Sequence, residues 1–481
     1  MIGAPSLEIA VVVLGLVVLM VEAFATKLNR ETLAWTGIIG LAAVFAATFF
    51  LAPAPAAEAT GFWSFYAADS LAIFFKRFAL VTTILVLIMM VDYAPIVRQS
   101  IHGATAQAGL GEFFAIPLFT CAGLMWMASA VDFVMIFVSL ELVTMSFYVL
   151  VAFTRRNPAT LEAGVKYLIL SALSTGFLVY GITWIFGVTG ETNLARITAA
   201  LGAAEVERVP ALFGMALVLV ALGFKIAAVP FQIWVPDVYQ GAPTPVTAYL
   251  SVGSKAAGFV VLLRVLEPFF IMPQMQKLLV VMAILTLIYG NVAALPQTNL
   301  KRLLAYSSIG HAGYLLIGVV SFAGEAVSFY LVSYLLMTML SFAVLVVVAN
   351  QTGAEIADFN GLAKRAPLLS FAMLLSMASL AGIPFTAGFL GKFFIFDAAV
   401  RQQQMALVVV GVITVACGFY YYFKVIRAMY WEAPTRTDAI LLSQASRVTM
   451  IALMAAIFVL GVYPQPILNA LRPSPVAAAV R

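Results

Sequence analysis

The sequence predicts an all-α polytopic membrane protein with about 14 transmembrane helices. Three observations predict this fold class. Hydrophobic residues make up 64% of the chain and charged residues only 10%, whereas a soluble domain carries about 25% charged residues. The hydrophobic residues form runs of about 20 residues, which is the length that one helix needs to cross a bilayer. Basic residues gather in alternate loops between these runs, which is the pattern of membrane orientation.

Fourteen apolar segments account for most of the 481 residues. They cover residues 7–25, 33–52, 70–91, 113–129, 131–152, 163–187, 210–236, 243–266, 278–296, 303–321, 326–349, 367–396, 404–430 and 446–466. The polar stretch 190–209 between two of them predicts a short helix at the surface. The pattern indicates neither a soluble domain nor a long linker.

The loop charges predict an orientation. One set of alternate loops is rich in basic residues: Lys27, Arg30, Arg98, Arg155, Arg156, Lys301, Arg302, Lys364, Arg365, Arg427, Arg436 and Arg447. The opposite set is poorer in basic residues and holds Glu58, Asp69, Asp132, Glu191 and Glu325. The positive-inside rule places the first set in the cytoplasm. Both termini are therefore expected on the periplasmic side of a bacterial inner membrane.

A weak internal repeat divides the chain. Segments 4–8 cover residues 113–267, and segments 9–13 cover residues 277–430. A unit with an odd number of helices is turned over when it is repeated, so we expect two inverted five-helix repeats. Residues 1–112 then form an N-terminal three-helix segment, and residues 431–481 hold a C-terminal helix.

The seventh and twelfth segments are predicted to be broken helices. The seventh holds Lys225 followed by Pro230, and the twelfth holds Pro384 followed by Lys392. Proline removes a helical hydrogen bond and interrupts a helix. Broken helices at corresponding places of two inverted units are typical of transporters, which bind their substrates near the middle of the membrane.

Five ionisable residues fall at mid-membrane depth: Glu141, Lys225, Lys255, His311 and Lys392. An ionised side chain at the bilayer centre costs at least about 2.5–3.5 kcal/mol, so these side chains are expected to face one another or internal water. Burial disfavours the charged form of a lysine, and a nearby carboxylate favours it. A Glu–Lys pair that can form and break would therefore load and unload a proton, and several such groups in a row predict a proton path.

Other interpretations remain open for these and for neighbouring charges. An ion pair that never titrates is the structural alternative for the buried carboxylate and lysines, and His311 could be a hydrogen-bonded packing residue. Lysine and arginine side chains near helix ends usually reach outward to the headgroups, which is the interpretation taken for Lys76, Arg77 and Lys424. Lys166 begins the sixth segment and fits either interpretation.

Motifs for several other functions are missing from the sequence. Cys121 and Cys417 have no second cysteine or histidine at ligand spacing, so disulfide, zinc and iron–sulfur sites are not expected. No P-loop and no glycine-rich dinucleotide motif is present. The net charge of +5 lies mostly in short loops, which does not favour nucleic-acid binding. We expect no cofactor in this chain, and a proton carrier without an energy source needs an ion gradient or a partner.

Two stretches of the sequence resemble a known family. The run 223–246, GFKIAAVPFQIWVPDVYQGAPTPV, and the run 299–311, NLKRLLAYSSIGH, are similar to signatures of the antiporter-like subunits of respiratory complex I. The resemblance covers most of the chain, including the fourteen segments. The same superfamily holds the cation/proton antiporters of the Mrp type.

Within this family the sequence looks most like the N-type subunits of bacterial NADH-quinone oxidoreductase. The motif 388–393, GFLGKF, has a lysine where the M-type subunit typically has glutamate. The L-type subunit has the lysine but is longer, with a C-terminal lateral helix. The stretch 166–181 also resembles the N-type subunit, and it implies that Lys166 lies close to Glu141 and Lys225.

The resemblance implies a role for each matching residue. Glu141 would modulate Lys225 in one half-channel. Lys255 and His311 would form the central connection. Lys392 would be the terminal site of the other half-channel.

The resemblance also implies partners and a source of energy. M-type and K-type subunits of the membrane arm would be neighbours in the lipid bilayer. NADH, FMN, iron–sulfur clusters and quinone would be bound by other subunits, whose redox chemistry would drive the protons. The motifs fit a second function as well, that of an Mrp-type cation/proton antiporter subunit, and co-purification with flavin- and cluster-bearing subunits would separate the two.

Overall fold

A computed structural model of the chain describes residues 5–25, 29–51, 63–100, 110–202, 207–270, 272–434 and 440–471. Most of these residues lie in helices joined by short loops. In chain order the helices are α1 (Ser6–Phe24), α2 (Glu31–Ala47), α3 (Ser70–Ser100), α4 (Leu110–Ser129), α5 (Phe133–Val151), α6 (Pro158–Thr189), α7 (Leu194–Gly202), α8 (Arg208–Ile226), α9 (Val235–Gly241), α10 (Thr244–Tyr249), α11 (Lys255–Leu266), α12 (Pro273–Ala294), α13 (Leu300–Val320), α14 (Gly324–Ala349), α15 (Leu362–Arg365), α16 (Pro367–Ala381), α17 (Ala387–Arg401), α18 (Met405–Tyr430), α19 (Gln444–Val462) and α20 (Gln465–Leu471).

Thirteen stretches of helix within the described residues are long and apolar enough to cross a membrane. The predicted segment 367–396 is not among them because it is divided into α16 and α17, which have 15 residues each. Each is about 22 Å long and cannot cross a hydrocarbon core of about 30 Å alone. The two together make the fourteenth crossing, so the predicted all-helical membrane fold with broken helices seven and twelve is confirmed.

Successive crossings run in opposite directions and define two faces of the protein. We call the face at which α1 begins the N-terminal face, and the other the basic face. Nearly all of the basic loop residues predicted to share one side lie at the basic face, where α3 ends and α13 begins. Lys27, Arg436 and Glu58 lie outside the described residues.

Side chains at the loop ends fix where several crossings begin. Asp132 accepts a hydrogen bond of 2.8 Å from a backbone N–H in the first turn of α5. Asn157 does the same for α6 at 3.0 Å, and Asn299 for α13 at 3.2 Å. Such caps satisfy N–H groups that the helix leaves without partners. They set the depth at which the residues of each helix lie.

The interior of the protein is built around α13. Every residue of α13 except Arg302 is buried, and α10, α11 and most of α14 are enclosed beside it. Helices α1, α2 and α6 lie at the periphery with apolar side chains on their outer surfaces. The predicted surface helix within 190–209 is present as α7, which buries one apolar stripe.

Candidate functional site

The break after α8 places Lys225 in the last turn of a helix that stops inside the membrane. Ala227 ends the helix with φ 65°, in the left-handed region. The carbonyl oxygen of Phe224 accepts hydrogen bonds from the backbone N–H of Ala227 at 3.2 Å and from the indole nitrogen of Trp234 at 3.0 Å. A cation is favourable at the C-terminal end of a helix dipole. The break therefore creates a place at which a lysine ammonium can lie deep in the protein.

Lys225 binds a threonine of α5 that lies one helical turn from Glu141. The Lys225 side chain is 4% exposed and its Nζ donates a hydrogen bond of 3.0 Å to Thr144 Oγ1. Thr144 lies one turn beyond Glu141 on α5. The Glu141 carboxylate accepts a hydrogen bond of 2.7 Å from Thr175 Oγ1 on α6 and is partly exposed. Each charged group has a hydroxyl as its hydrogen-bond partner in this arrangement.

Gly258 brings the end of α8 next to α11. A Cβ atom at Gly258 would lie 3.3 Å from Lys225 Cγ and 2.8 Å from a methyl carbon of Ile226. The absence of a side chain lets the two helices approach closely. Lys255 is one turn away from Gly258 on α11, so the close approach places the two lysines in neighbouring helices at similar depth.

Lys255 lies at the end of a π-helical segment, Leu250–Ser254, and is 1% exposed. Its Nζ donates hydrogen bonds to the carbonyl and hydroxyl oxygens of Ser308 on α13. The Ser308 hydroxyl also contacts Tyr334 Oη at 2.9 Å, and Tyr334 lies 2.8 Å from Ser251 Oγ. Wide helical turns of this kind are frequent at functional sites. The Lys255 ammonium group therefore contacts a cluster of hydroxyl groups.

His311 continues this cluster one turn along α13. Its Nδ1 lies 2.7 Å from Tyr330 Oη and its Nε2 lies 3.1 Å from Tyr422 Oη. Tyr422 also contacts Ser307 Oγ. Both ring nitrogens thus have hydroxyl partners, which can act as donor or acceptor for either tautomer. The imidazole, 2% exposed, lies in a position from which it can pass a proton in either direction.

Lys392 binds the end of the other broken helix. Its Nζ donates hydrogen bonds of 2.9 Å to the carbonyl oxygens of Leu380 and Ala381, at the C-terminal end of α16. Gly382 follows with φ 92°, a conformation that favours glycine. The ammonium group lies 5.1 Å from the ring centroid of Tyr314. The lysine thus comes from α17 and satisfies carbonyl groups that the break leaves free.

One face of α13 runs from the contacts of Lys255 and His311 to Lys392. Ser308, His311 and Tyr314 recur every three residues, so they lie one above another on that face. The His311 and Tyr314 ring centroids are 6.0 Å apart, and Lys392 lies over the second ring. Of the predicted site residues, the structure thus joins Lys255, His311 and Lys392 by short steps along a single enclosed helix.

Lys166 forms its ion pairs with residues other than Glu141 and Lys225. Its Nζ lies 2.7 Å from Glu162 and 2.7 Å from Asp237, near the basic face. Asp237 also binds Arg302 at 2.8 Å. Burial by itself raises the pKa of Asp237, but hydrogen bonds from Lys166 and Arg302 outweigh this and lower it. Lys166 therefore belongs to an ion-pair cluster at the basic face.

The interpretation of Lys76 as a side chain that reaches the headgroups is wrong. Its side chain is 1% exposed and its Nζ lies 2.8 Å from Glu8 on α1, which is equally buried. Arg77 points to the end of α2, where it binds Thr48. Lys424 reaches a loop carbonyl near the basic face. The sequence did not reveal the Glu8–Lys76 pair because the two residues are far apart along the chain.

Sequence reasoning also missed the hydroxyl groups that connect the charged residues. These are Thr144, Thr175, Ser251, Ser307, Ser308, Tyr314, Tyr330, Tyr334 and Tyr422. A usable signal was present in α13 and α14, where polar residues recur at helical spacing within otherwise apolar runs. Within the described residues, no group of three His, Cys, Asp or Glu side chains is placed to hold a metal ion.

The fold and the site define a class of polytopic membrane proteins in which two broken helices present buried lysines. Residues 130–418 match the sequence family described as NADH:quinone oxidoreductase/Mrp antiporter, TM. The chain is 39% identical to NADH-quinone oxidoreductase subunit N of Desulforamulus reducens, over 96% of this chain and 95% of the relative. The chain therefore belongs to the NADH:quinone oxidoreductase/Mrp antiporter family, among its subunit N members.

Solved structures show the same fold. A chain in respiratory complex I from Thermus thermophilus with bound aureothin superimposes with a TM-score of 0.81 at 31% identity, over 97% of this chain and 99% of that chain. A chain of the Mrp complex from Dietzia sp. DQ12-45-1b superimposes with a TM-score of 0.83 at 22% identity, over 97% and 96% of the two chains. The second likeness concerns the fold alone.

Proposed function

We propose that this chain is a proton-translocating subunit in the membrane arm of an NADH-quinone oxidoreductase. One observation carries the proposal: a row of ionisable side chains runs through the protein, partly exposed at Glu141 and buried from Lys225 to Lys392, and its members bind hydroxyl and carbonyl groups. Ionisable groups at membrane depth are expensive and mark ion or proton pathways. The likeness to NADH-quinone oxidoreductase subunits N over nearly the whole chain supports the redox-driven form of this function.

The proposed roles follow the contacts of each side chain. Glu141 modulates the protonation of Lys225 through its charge, one turn of α5 away from the Thr144 hydroxyl that Lys225 binds. Lys255 and His311 form the central connection along α13. Lys392 is the terminal site of the second half.

The proposal extends to the mouth of the path at the basic face. Lys166 and Asp237 are titratable, partly exposed and paired there. We assign them to the outer end of the path, where a proton can be exchanged with water.

The proposed division of the chain follows the two broken helices. Residues 113–267 form one five-helix unit with its break after Lys225, and residues 277–430 form a second, inverted unit with its break before Lys392. Residues 1–112 and 431–481 flank them. The basic face is cytoplasmic by the positive-inside rule, which places both termini in the periplasm of a bacterial cell.

The driving force is proposed to come from other subunits. Neighbours of the M and K types would adjoin this chain in the membrane arm. NADH, FMN, iron–sulfur clusters and quinone would be held elsewhere in the complex, and redox chemistry there would change the protonation of the row.

The test is the variant Lys225→Ala in the assembled complex, with Lys277→Ala as a matched control because Lys277 is exposed at the start of α12. We expect the first to impair NADH-driven proton pumping in membrane vesicles while the complex still assembles, and the second to pump normally. Unchanged pumping by Lys225→Ala would indicate a non-transporting scaffold. Sodium/proton exchange without NADH-linked electron transfer would instead indicate an Mrp-type antiporter subunit.

A further inference from the structure

A second set of buried ionisable side chains lies in the N-terminal three helices, away from the row. Glu8 on α1 and Lys76 on α3 form an ion pair of 2.8 Å, and each side chain is 1% exposed. Tyr66, just before α3, lies between them. Its hydroxyl donates a hydrogen bond of 3.0 Å to Glu8 Oε1 and accepts one of 2.5 Å from Lys76 Nζ. The hydrogen bonds thus run from Lys76 through Tyr66 to Glu8, which is the arrangement of a proton relay.

The buried Glu8–Lys76 ion pair is not expected to stabilise the fold. Removing two charges from water is expensive, and a buried ion pair offsets this only when its remaining polar atoms are also satisfied. Glu8 Oε2 is buried and has no hydrogen-bond partner among the described residues. Unsatisfied buried oxygen atoms of this kind are places where a proton or a water molecule can bind.

Polar groups lead from this pair toward Lys255. Thr83 lies seven residues beyond Lys76 on the same face of α3, about 10 Å further into the membrane. The Thr83 hydroxyl lies 2.7 Å from Tyr249 Oη, and the thiol of Cys121 is beside both groups. Tyr249 immediately precedes the π-helical segment Leu250–Ser254, and Lys255 follows that segment.

We propose that Glu8, Tyr66 and Lys76 form an additional proton-loading site, which exchanges protons with Lys255 by way of Thr83 and Tyr249. This inference rests on the proposed function of the row. In the exchange, Lys76 gives a proton to the Tyr66 oxygen while Tyr66 gives its own proton to the Glu8 carboxylate. The products are a neutral amine and a neutral carboxylic acid, and the reverse transfer restores the ion pair.

The site opens toward the N-terminal face of the membrane. Lys76 is six residues beyond the start of α3, about 9 Å from that face. Asp69 lies at the face itself, partly exposed, and binds Arg264 through both carboxylate oxygens at 2.8 and 2.9 Å. The additional site thus lies between an exposed acidic group and the central lysine, on the opposite side of the protein from Lys166 and Asp237.

The connection is tested by Thr83→Val, with Thr82→Val as the matched control. Both threonines are fully buried, but the Thr82 hydroxyl bonds only to a carbonyl of its own helix, whereas Thr83 also contacts Tyr249. In assembled complex in vesicles, we expect Thr83→Val and Tyr249→Phe to lower the NADH-driven pumping rate about 100-fold, and Thr82→Val to leave it unchanged. Equal rates in all three variants would overturn the connection.

The loading step is tested by infrared spectroscopy of the same complex. We expect difference spectra recorded on NADH addition to contain a protonated-carboxyl band that Glu8→Gln removes. The double variant Glu8→Gln with Lys76→Gln keeps a hydrogen-bonded pair without charge, so assembly is retained if either single variant fails to fold. An unchanged band, or normal pumping by the double variant, would refute the site.

The two proposals fail in different ways. If Lys225→Ala impairs pumping and the Thr83 and Glu8 variants do not, the additional site is refuted and the row stands. If Lys225→Ala pumps normally, the proposed function itself is refuted.

Discussion

Replacing Lys392 with arginine separates two roles that the structure gives to this side chain. Lys392 caps α16 by donating two hydrogen bonds of 2.9 Å to the carbonyl groups of Leu380 and Ala381, and it is also proposed to release a proton. Arginine keeps the positive charge and the donors but stays protonated at any physiological pH. We expect Lys392→Arg to keep the helical break intact and to lower NADH-driven pumping about 100-fold.

The magnitude of the capping role follows from the geometry. A hydrogen bond to a charged group contributes about 1.5–3 kcal/mol, so Lys392→Met, which loses two, destabilises the α16–α17 break by about 3–6 kcal/mol. Lys392→Arg avoids this loss. The larger guanidinium has room because Lys392 adjoins a cavity of about 400 Å³, lined also by Phe393 and Phe396.

The assay compares three variants for assembly on native gels and for proton pumping in vesicles. Lys424→Arg is the matched control, because Lys424 also caps a backbone carbonyl, that of Gln297 at 2.9 Å, but lies near the basic face. We expect Lys424→Arg to behave as the wild type and Lys392→Met to lose both assembly and pumping. Normal pumping by Lys392→Arg would refute proton release at Lys392 and leave only its capping role.

Three further predictions concern other parts of the path. Glu141→Gln keeps the shape of the side chain but not its charge, and we expect normal assembly with impaired proton pumping in vesicles. Tyr422→Phe removes a partner of His311 and is expected to slow pumping. Tyr421→Phe, whose hydroxyl donates to Asn291 and does not contact His311, is the control, and equal rates would contradict a relay through His311. Asp237→Asn removes the ion pairs of Asp237. These pairs stabilise the protein at pH values above the ordinary carboxyl pKa of about 4. The stabilisation is lost as the pH falls through the lowered pKa of Asp237. Thermal inactivation should therefore separate this variant from the wild type at pH 7, and the difference should vanish in acid.

The central charged residues could be predicted from the sequence because their depth in the membrane limits where their side chains can lie. Lys225, Lys255 and Lys392 each stand near the middle of a hydrophobic run, where a side chain cannot reach the headgroups. The prolines near Lys225 and Lys392 indicated the two breaks because proline removes a helical hydrogen bond, although Pro95 and Pro117 lie inside the continuous helices α3 and α4.

Residues near helix ends were harder to place. Lys76 is the seventh residue of α3 and Lys166 the ninth of α6, so their depths are similar. Lys76 turns inward because Glu8 on α1 is beside it, and Lys166 turns outward because Asp237 is beside it. Such partners come from distant parts of the chain, and a single sequence gives no measure of that proximity.

The hydroxyl groups of the path were unpredictable for a different reason. A serine or tyrosine in an apolar helix usually bonds to its own backbone or packs in the core, and only its neighbours decide otherwise. Thr82 and Thr83 show this clearly, because they are adjacent and equally buried but only Thr83 contacts another helix.

The burial of α13 has a consequence for the kinetics of the proposed proton transfer. Ser308, His311 and Tyr314 share one face of a helix in which every residue except Arg302 is buried. Transfers arranged in series carry the same flux, so the slowest of them sets the overall rate and the others operate near equilibrium. In the proposed path, changes in lipid composition or outer pH would then act on the first and last transfers, while the rates of the transfers along α13 would stay unchanged.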